Sequence, residues 1–485
     1  MVGEARTRVK HRVTGTTPAC ASPVAAAMMV TGMLGRSAAQ LGSGSTAPSG
    51  AALARASALN LLARLASGAA TLGIAVVTTN VLDTTGRGVY AILATWAGIG
   101  ATVITGGTTV LAADLIHARR DERALHGATT AIGVTSALVL VPLALAVTLL
   151  TDEVAVAALV WTAVVTALVS YSSYEMSIAQ AHGNVLVVSV TDLAMALFPL
   201  VATVLAAVLI EPTVTTLMAA WAAGALLTAS AQFATAAGSA RVLRSWRLAV
   251  SILRRSVRVA IANGASILCS RIDVLVVAAV LSASAAGVYS IPVALAGSLL
   301  LLSRSLLTAT YHSIMTAPPH EVAARLSTAL RHSVIVVLVG GGLSVPVVAV
   351  GAGFVFGDAY SAIWRPYAVL VLGSACICVV EVLRHYLLTR LERQGEFVLI
   401  VTAMLVVNGV LAAVGAAAFG LLGAASATAV TYAAAAFALL ALCARTLDVP
   451  MVPLALPRRS DFAAYWHAGR SILNRRRSAA AIGHE

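Results

Sequence analysis

Three arginines lie within long apolar stretches of the sequence, where a permanent charge is costly. Arg64 follows Arg55 by nine residues, about 13 Å along a helix. Arg271 and Arg304 lie inside two later apolar stretches. A guanidinium fork matches phosphate oxygens and stays charged when it loses water. These three arginines are therefore predicted to line a cavity and bind a phosphate-bearing group. The alternative is that each pairs with a neighbouring carboxylate and only holds helices together.

Two carboxylates, Glu175 and Asp192, form a second candidate site. They lie nearly equally far from the polar turn His182-Gly183-Asn184, so an antiparallel helical hairpin would set them at one depth. Two close carboxylates do not readily both stay ionised, and such a pair can take up H⁺ or Na⁺. The pair is predicted to bind a coupling ion. The alternative places both about 10–13 Å from the inner edge, within reach of interfacial water or arginine.

The sequence gives little sign of catalytic or metal chemistry. Its five cysteines lie mostly in apolar stretches and lack the paired spacing of a zinc site or a disulfide framework. The histidines His117, His126 and His182 stand singly in predicted polar turns. The longest predicted outward loop is roughly 357–364, which leaves little room for catalytic groups. We predict no catalytic residue, no metal site, and a protein that is not an enzyme.

Apolar helices must position these residues. With 59% hydrophobic and 11% charged residues, the chain is predicted to be an integral membrane protein, since soluble domains carry about 25% charged residues. A spanning helix needs about 20 apolar residues, and the sequence contains twelve such stretches. They lie near 54–82, 88–116, 127–150, 154–180, 184–210, 213–236, 258–282, 286–315, 331–356, 365–389, 396–419 and 421–444. The predicted fold is all-α, polytopic, with about twelve transmembrane helices.

The arginines between the stretches predict the orientation. The odd-numbered connections hold only Arg87 and Arg365, whereas the even-numbered connections and both termini hold most of the remaining arginines. Positive charge stays on the cytoplasmic side, so both termini are predicted to be cytoplasmic in a multi-pass protein of the cell membrane. The net charge of +13 is then expected to face anionic membrane lipids, and no nucleic-acid partner is predicted.

The tripeptide Gly-Val-Tyr occurs twice and indicates a duplication. Gly88-Val89-Tyr90 and Gly287-Val288-Tyr289 are 199 residues apart, and each follows the first apolar stretch of its half. Because each half has an even number of spans, the halves are predicted to be parallel repeats with the substrate path between two six-helix lobes. The predicted domains are a disordered N-terminal tail (1–50), an N-lobe (51–237), a basic cytoplasmic linker (238–257), a C-lobe (258–445) and a basic cytoplasmic tail (446–485).

The surroundings of the two tripeptides resemble a known family. Asn60-Leu61-Leu62-Ala63-Arg64 leads through Asp83 into Gly86-Arg87-Gly88-Val89-Tyr90, and Ser270-Arg271-Ile272-Asp273 precedes Ala286-Gly287-Val288-Tyr289. This order is similar to that of the polysaccharide-biosynthesis (oligosaccharide) flippases of the multidrug/oligosaccharidyl-lipid/polysaccharide exporter superfamily. The sequence departs from the family at Asn80, where an arginine is frequent, so the role of that arginine is not carried over.

The resemblance implies a transporter that moves an isoprenoid-pyrophosphate-linked glycan from the inner to the outer leaflet, with glycan-synthesis enzymes as partners. The pyrophosphate would then be the group that the three arginines bind. A cation-coupled multidrug exporter of the same superfamily is one alternative, but it would call for an acidic, aromatic cavity. A sugar carrier of the major facilitator type and a transport-inactive scaffold for a glycan-synthesis complex are the others.

Overall fold

A computed structural model describes residues 50–108, 111, 122–150, 156–182, 184–235, 242–315, 317–391, 393–456 and 458. Every regular element in these ranges is helical. The helices are α1 (Gly50–Val81), α2 (Thr84–Ile104), α3 (Glu122–Leu150), α4 (Val156–Ala181), α5 (Val185–Leu209), α6 (Val214–Thr235), α7 (Val242–Cys269), α8 (Ile272–Val280), α9 (Ala283–Met315), α10 (Pro319–Phe356), α11 (Trp364–Thr389), α12 (Gln394–Leu447) and α13 (Val452–Ala455). The predicted N-terminal tail up to residue 49 and the basic tail beyond 458 lie outside the described residues.

The helices account for the predicted number of spans. Ten of them are long and apolar enough to cross a membrane, and the bent pair α7–α8 makes an eleventh. The twelfth comes from α12, which contains two spans. The chain is thus an all-helical, multi-pass membrane protein. We call the end of the bundle that carries Gly88 and Gly287 the outer end, and the opposite end the inner end.

Helix α12 reverses direction at Gly420. This residue has φ 61° and ψ −142° inside an otherwise helical segment of 54 residues, a conformation that glycine adopts without a steric penalty. The hydroxyl of Thr428 lies 3.3 Å from Oδ1 of Asn408, although a straight helix would separate these residues by about 30 Å. The two arms of α12 therefore pack against each other, as predicted for spans 396–419 and 421–444.

The seventh predicted span, 258–282, is broken rather than continuous. Helix α7 ends at Cys269 and α8 begins at Ile272, with a bend of 52° between their apolar parts. Arg271 lies in the break with φ −134° and ψ −6°. A broken span leaves backbone groups without helical partners, and such breaks occur in membranes only where protein or a cavity satisfies those groups.

The predicted linker, 238–257, is largely helical. From Val242 onward it forms the first part of α7. Ala249 and Ile252 point into the core of the first half, where they pack with Leu111 and Tyr174. Arginines interrupt the apolar pattern on the face of α7 that carries Ala249 and Ile252, so the sequence did not predict this helix. The linker thus packs against the first half, and the same helix then continues into the second half.

Candidate functional site

The two Gly-Val-Tyr segments meet each other at the outer end. A Cβ atom added to Gly88 would overlap the carbonyl oxygen of Ala283, and one added to Gly287 would overlap the carbonyl oxygen of Thr84. The Cβ positions also lie 3.2 Å and 2.9 Å from the backbone nitrogen of the opposite glycine. Only glycine permits such close approach of two helix backbones. The two Gly-Val-Tyr segments thus pack backbone against backbone.

Side chains next to these glycines join the halves further. The hydroxyl of Ser284 donates to Thr84 Oγ1 at 2.8 Å, and Asn80 Nδ2 donates to the carbonyl oxygen of Val355 at 2.9 Å. Ala75 of α1 packs with apolar residues of α9 and α10 in one buried cluster. These contacts hold the helices around the two Gly-Val-Tyr segments together at the outer end.

Two of the predicted cargo-binding arginines lie on the inner side of one helix crossing. Helices α1 and α9 approach closely at Gly68, whose Cβ would lie 2.6 Å from Leu301 Cδ1. Arg64 precedes Gly68 by four residues and Arg304 follows Leu301 by three, so each lies about 5 Å toward the inner end. The structure therefore places both arginines at a similar depth on neighbouring helices.

The two arginines differ in exposure. Arg304 is exposed on α9, whereas Arg64 is half-buried on α1. Their predicted depth in the membrane stays a prediction.

Arg64 also lies within electrostatic range of the Asp192 carboxylate on α5. The alternative prediction, that Arg64 pairs with a neighbouring carboxylate, is therefore met only in part. Asp192 is nearby, but among the described residues it forms no ion pair with Arg64. The Nε atom of Arg64 is buried and has no hydrogen-bond partner in the same part of the chain. A buried donor without an acceptor is costly, so Arg64 retains capacity to bind a ligand.

Arg271 lies apart from the other two arginines, at the break between α7 and α8. It is half-buried and precedes the outer end of α8, Val280, by nine residues, about 14 Å. Its charge lies within electrostatic range of Asp273 and Tyr432. Arg271 and Asp273 therefore share one environment, although side chains two residues apart on an unbroken helix do not face each other.

Asp273 is the centre of a buried polar network that the sequence did not reveal. Its side chain is 1% exposed. Oδ1 accepts from the Val274 N–H at 2.9 Å, and Oδ2 accepts from the Tyr289 hydroxyl at 2.9 Å. The Thr428 hydroxyl lies 3.2 Å from Oδ2, and Asn408 Nδ2 donates to the carbonyl oxygen of Cys269 at 3.0 Å. Oxygen atoms from α8, α9 and α12 thus converge beside the break between α7 and α8.

Glu175 and Asp192, the predicted coupling pair, have different partners. Glu175 is buried and contacts His126 Nδ1 at 2.6 Å through Oε2, while Oε1 accepts a hydrogen bond from the Thr129 hydroxyl. His126 lies within α3 and not in a polar turn as the sequence suggested. Asp192 lies near Arg64 instead. A shared ion site between the two carboxylates therefore stays a prediction.

Comparison with known proteins gives a family match and a fold match. The family model described as "Polysaccharide biosynthesis protein" matches residues 53–311, which is more than half of the 485 residues. No curated protein matches the chain.

Solved transporter structures share the fold at low sequence identity. An inward-facing multidrug resistance MATE family transporter of the MOP superfamily is similar with a TM-score of 0.60 and 14% identity, over 80% of this chain and 98% of that one. An outward-facing structure of such a transporter gives 0.57 and 13%, over 81% and 95%. A MOP superfamily transporter from Pyrococcus furiosus, whose binding pocket is described as of reverse polarity, gives 0.55 and 14%, over 81% and 95%. At these identities the likeness shows the fold alone.

Proposed function

The chain belongs to the polysaccharide biosynthesis protein family, and on this premise we propose that it moves an isoprenoid-pyrophosphate-linked glycan from the inner to the outer leaflet of the cell membrane. The path runs between the two halves, and alternating closure of its ends carries the cargo across. Gly88 and Gly287 bring the outer ends together, and in our proposal the cargo enters the path from the inner end.

The observation that carries this proposal is the pair Arg64 and Arg304 on the inner side of the α1–α9 crossing. Both guanidinium groups are partly or fully exposed, and a buried Nε of Arg64 has no partner among the described residues. A pyrophosphate presents several oxygens to such forks. Arg271, deeper along the path, would bind the same group as it moves outward.

The proposal is tested with lipid-linked glycan reconstituted in vesicles that contain the purified protein. The fraction of glycan accessible to an external hydrolase measures transfer between the leaflets. We expect the double variant Arg64→Gln, Arg304→Gln to slow transfer about 100-fold, since loss of charged hydrogen bonds costs about 1.5–3 kcal/mol each. The variant Arg365→Gln changes an exposed arginine at the outer end and is the matched control.

Three outcomes would contradict the proposal. Equal transfer rates in the double variant and the control, at equal protein content, would remove the arginines from the cargo site. A wild-type protein that moves no lipid-linked glycan but lowers drug accumulation in vesicles would favour the multidrug exporter. A protein that moves neither, yet binds glycan-synthesis enzymes, would favour the scaffold.

We further propose that Asp273 binds the coupling cation, H⁺ or Na⁺. Its carboxylate is buried, and no basic side chain among the described residues forms an ion pair with it. A buried charge of this kind needs a cation or a proton. The hydroxyls of Thr428 and Tyr289 supply further oxygens, and hard cations prefer oxygen ligands.

Ion gradients across the vesicle membrane test this role. Asp273→Asn keeps the size and most hydrogen bonds of the side chain but removes its charge, so it is expected to abolish gradient-driven transfer while leaving downhill exchange of the cargo. If Asp273→Asn still responds to a Na⁺ or H⁺ gradient as the wild type does, the coupling ion binds elsewhere.

A further inference from the structure

Arg87 is a buried cation at the closed outer end. Its side chain is 5% exposed, and its guanidinium carbon lies 5.5 Å from the centroid of the Tyr90 ring. The Nε atom is buried without a hydrogen-bond partner, and no carboxylate forms an ion pair with the group in the described part of the chain. The ring face is a weak substitute for the water or anion that a guanidinium normally binds.

Tyr360 brings a second unsatisfied donor from the other half. It ends the short 3₁₀ turn Asp358–Tyr360 that follows α10, and it is 2% exposed. Its hydroxyl is buried and, among the described residues, has no partner. Burial raises the pKa of this hydroxyl, so Tyr360 stays neutral and cannot compensate Arg87. The two side chains lie within electrostatic range of each other.

The surroundings of this pair determine when it can bind a ligand. Gly88, the residue next to Arg87, packs against the backbone of Ala283 and Gly287 in the other half. The nearby carboxylate of Asp83 is exposed and already accepts the Gly86 N–H at 2.8 Å. In the closed state, one donor from each half therefore lacks an acceptor. Once the outer ends separate, both donors become accessible on the two sides of the same opening.

We propose that Arg87 and Tyr360 form a phosphate-binding exit site, which becomes available when the outer ends part and which holds the pyrophosphate of the cargo before release. A guanidinium and a phenolic hydroxyl both donate to phosphate oxygens. Binding compensates the cost of the unpartnered donors and so favours the open outer end. That the bound phosphate belongs to the cargo rests on the proposed function. The site itself is inferred from the unpartnered donors of Arg87 and Tyr360.

A disulfide across the closure measures the population of the closed outer end. Thr84→Cys and Ser284→Cys, introduced together into the full chain, replace hydroxyls 2.8 Å apart, and the linked peptides are quantified by mass spectrometry. Two probes are added separately to reconstituted vesicles, inorganic pyrophosphate and a polyprenyl pyrophosphate without sugar. We expect polyprenyl pyrophosphate to slow disulfide formation about tenfold, the change that one charge-assisted hydrogen bond supports.

Substitutions at the site separate the outcomes. Arg87→Gln should remove the effect of the probe, Tyr360→Phe should weaken it, and Arg87→Lys should retain part of it. Arg365→Gln, at an exposed position of the same end, should leave it unchanged. Slowing that persists in Arg87→Gln, or that is absent in the wild type with both probes, would overturn the site. Slowing by inorganic pyrophosphate alone would show a site for free anions and overturn the exit role.

The same measurements distinguish this inference from the proposed function. If the wild type moves lipid-linked glycan but Arg87→Gln changes neither disulfide formation nor transfer, the exit site fails and the function stands. If polyprenyl pyrophosphate acts through Arg87 while no glycan is moved, the site stands and the function fails.

Discussion

Adding one methyl group at Gly88 should prevent the outer ends of the two halves from closing. The new Cβ would overlap the Ala283 carbonyl oxygen and lie 3.2 Å from the Gly287 nitrogen. Both contacts are with backbone atoms, so no change of rotamer can relieve them. Overpacking typically costs 1–3 kcal/mol even where side chains can yield. For Gly88→Ala we therefore expect a cost of about 3 kcal/mol and a closed population about 100-fold smaller.

The assay is disulfide formation between cysteines at positions 84 and 284, combined with glycan transfer in vesicles. Gly88→Ala should lose both, because a protein that cannot close its outer end cannot accept cargo from the inner end. Gly98→Ala is the matched control, since it lies on the same helix and its Cβ would meet nothing within 4 Å. If Gly88→Ala formed the disulfide as fast as Gly98→Ala, the backbone contact would not be what closes the path.

Three further predictions concern other parts of the bundle. Gly420→Ala places a side chain on a backbone with φ 61°, so it should destabilise the detergent-solubilised protein by about 1–3 kcal/mol. The measurement is the Tm, which should fall. An unchanged Tm would argue against the reversal of α12 at this residue. Tyr289→Phe removes the 2.9 Å hydrogen bond to Asp273. The cation concentration needed to stimulate glycan transfer should therefore rise about tenfold. An unshifted concentration curve would show that the Tyr289 hydroxyl is not part of the cation site. The double variant Glu175→Gln, Asp192→Asn distinguishes the two candidate coupling sites: gradient-driven transfer should be retained if Asp273 binds the ion, and its loss would assign the ion to Glu175 and Asp192.

The lengths of the apolar stretches were sufficient to predict the helical bundle, because a bilayer demands about 20 apolar residues for each span. The reversal at Gly420 was also predictable, since two apolar spans cannot follow each other without a turn. The break before Ile272 was not. Its residues sit within one continuous apolar stretch, and only distant partners, among them Asn408 through its hydrogen bond to the Cys269 carbonyl, stabilise it.

The candidate site was predictable only in its residue types. Arg64 and Arg304 were recognised as charges in apolar stretches, but their depth depends on where each helix leaves the bilayer. The partners of Asp273 lie 16 and 155 residues away along the chain, so no local pattern joins them. The two Gly-Val-Tyr copies are visible in the sequence, but only the structure shows that Gly88 and Gly287 approach each other.

The course of α7 has a consequence for how the chain is made and how it can be divided. Ala249 and Ile252, which fill the core of the first half, are synthesised after all six of its spans. The first half therefore leaves the ribosome with a gap in its core and acquires its last packing residues from the helix that opens the second half. A chain divided at residue 238 would give an N-terminal fragment that lacks this packing. The first half therefore does not contain all the residues that fill its own core.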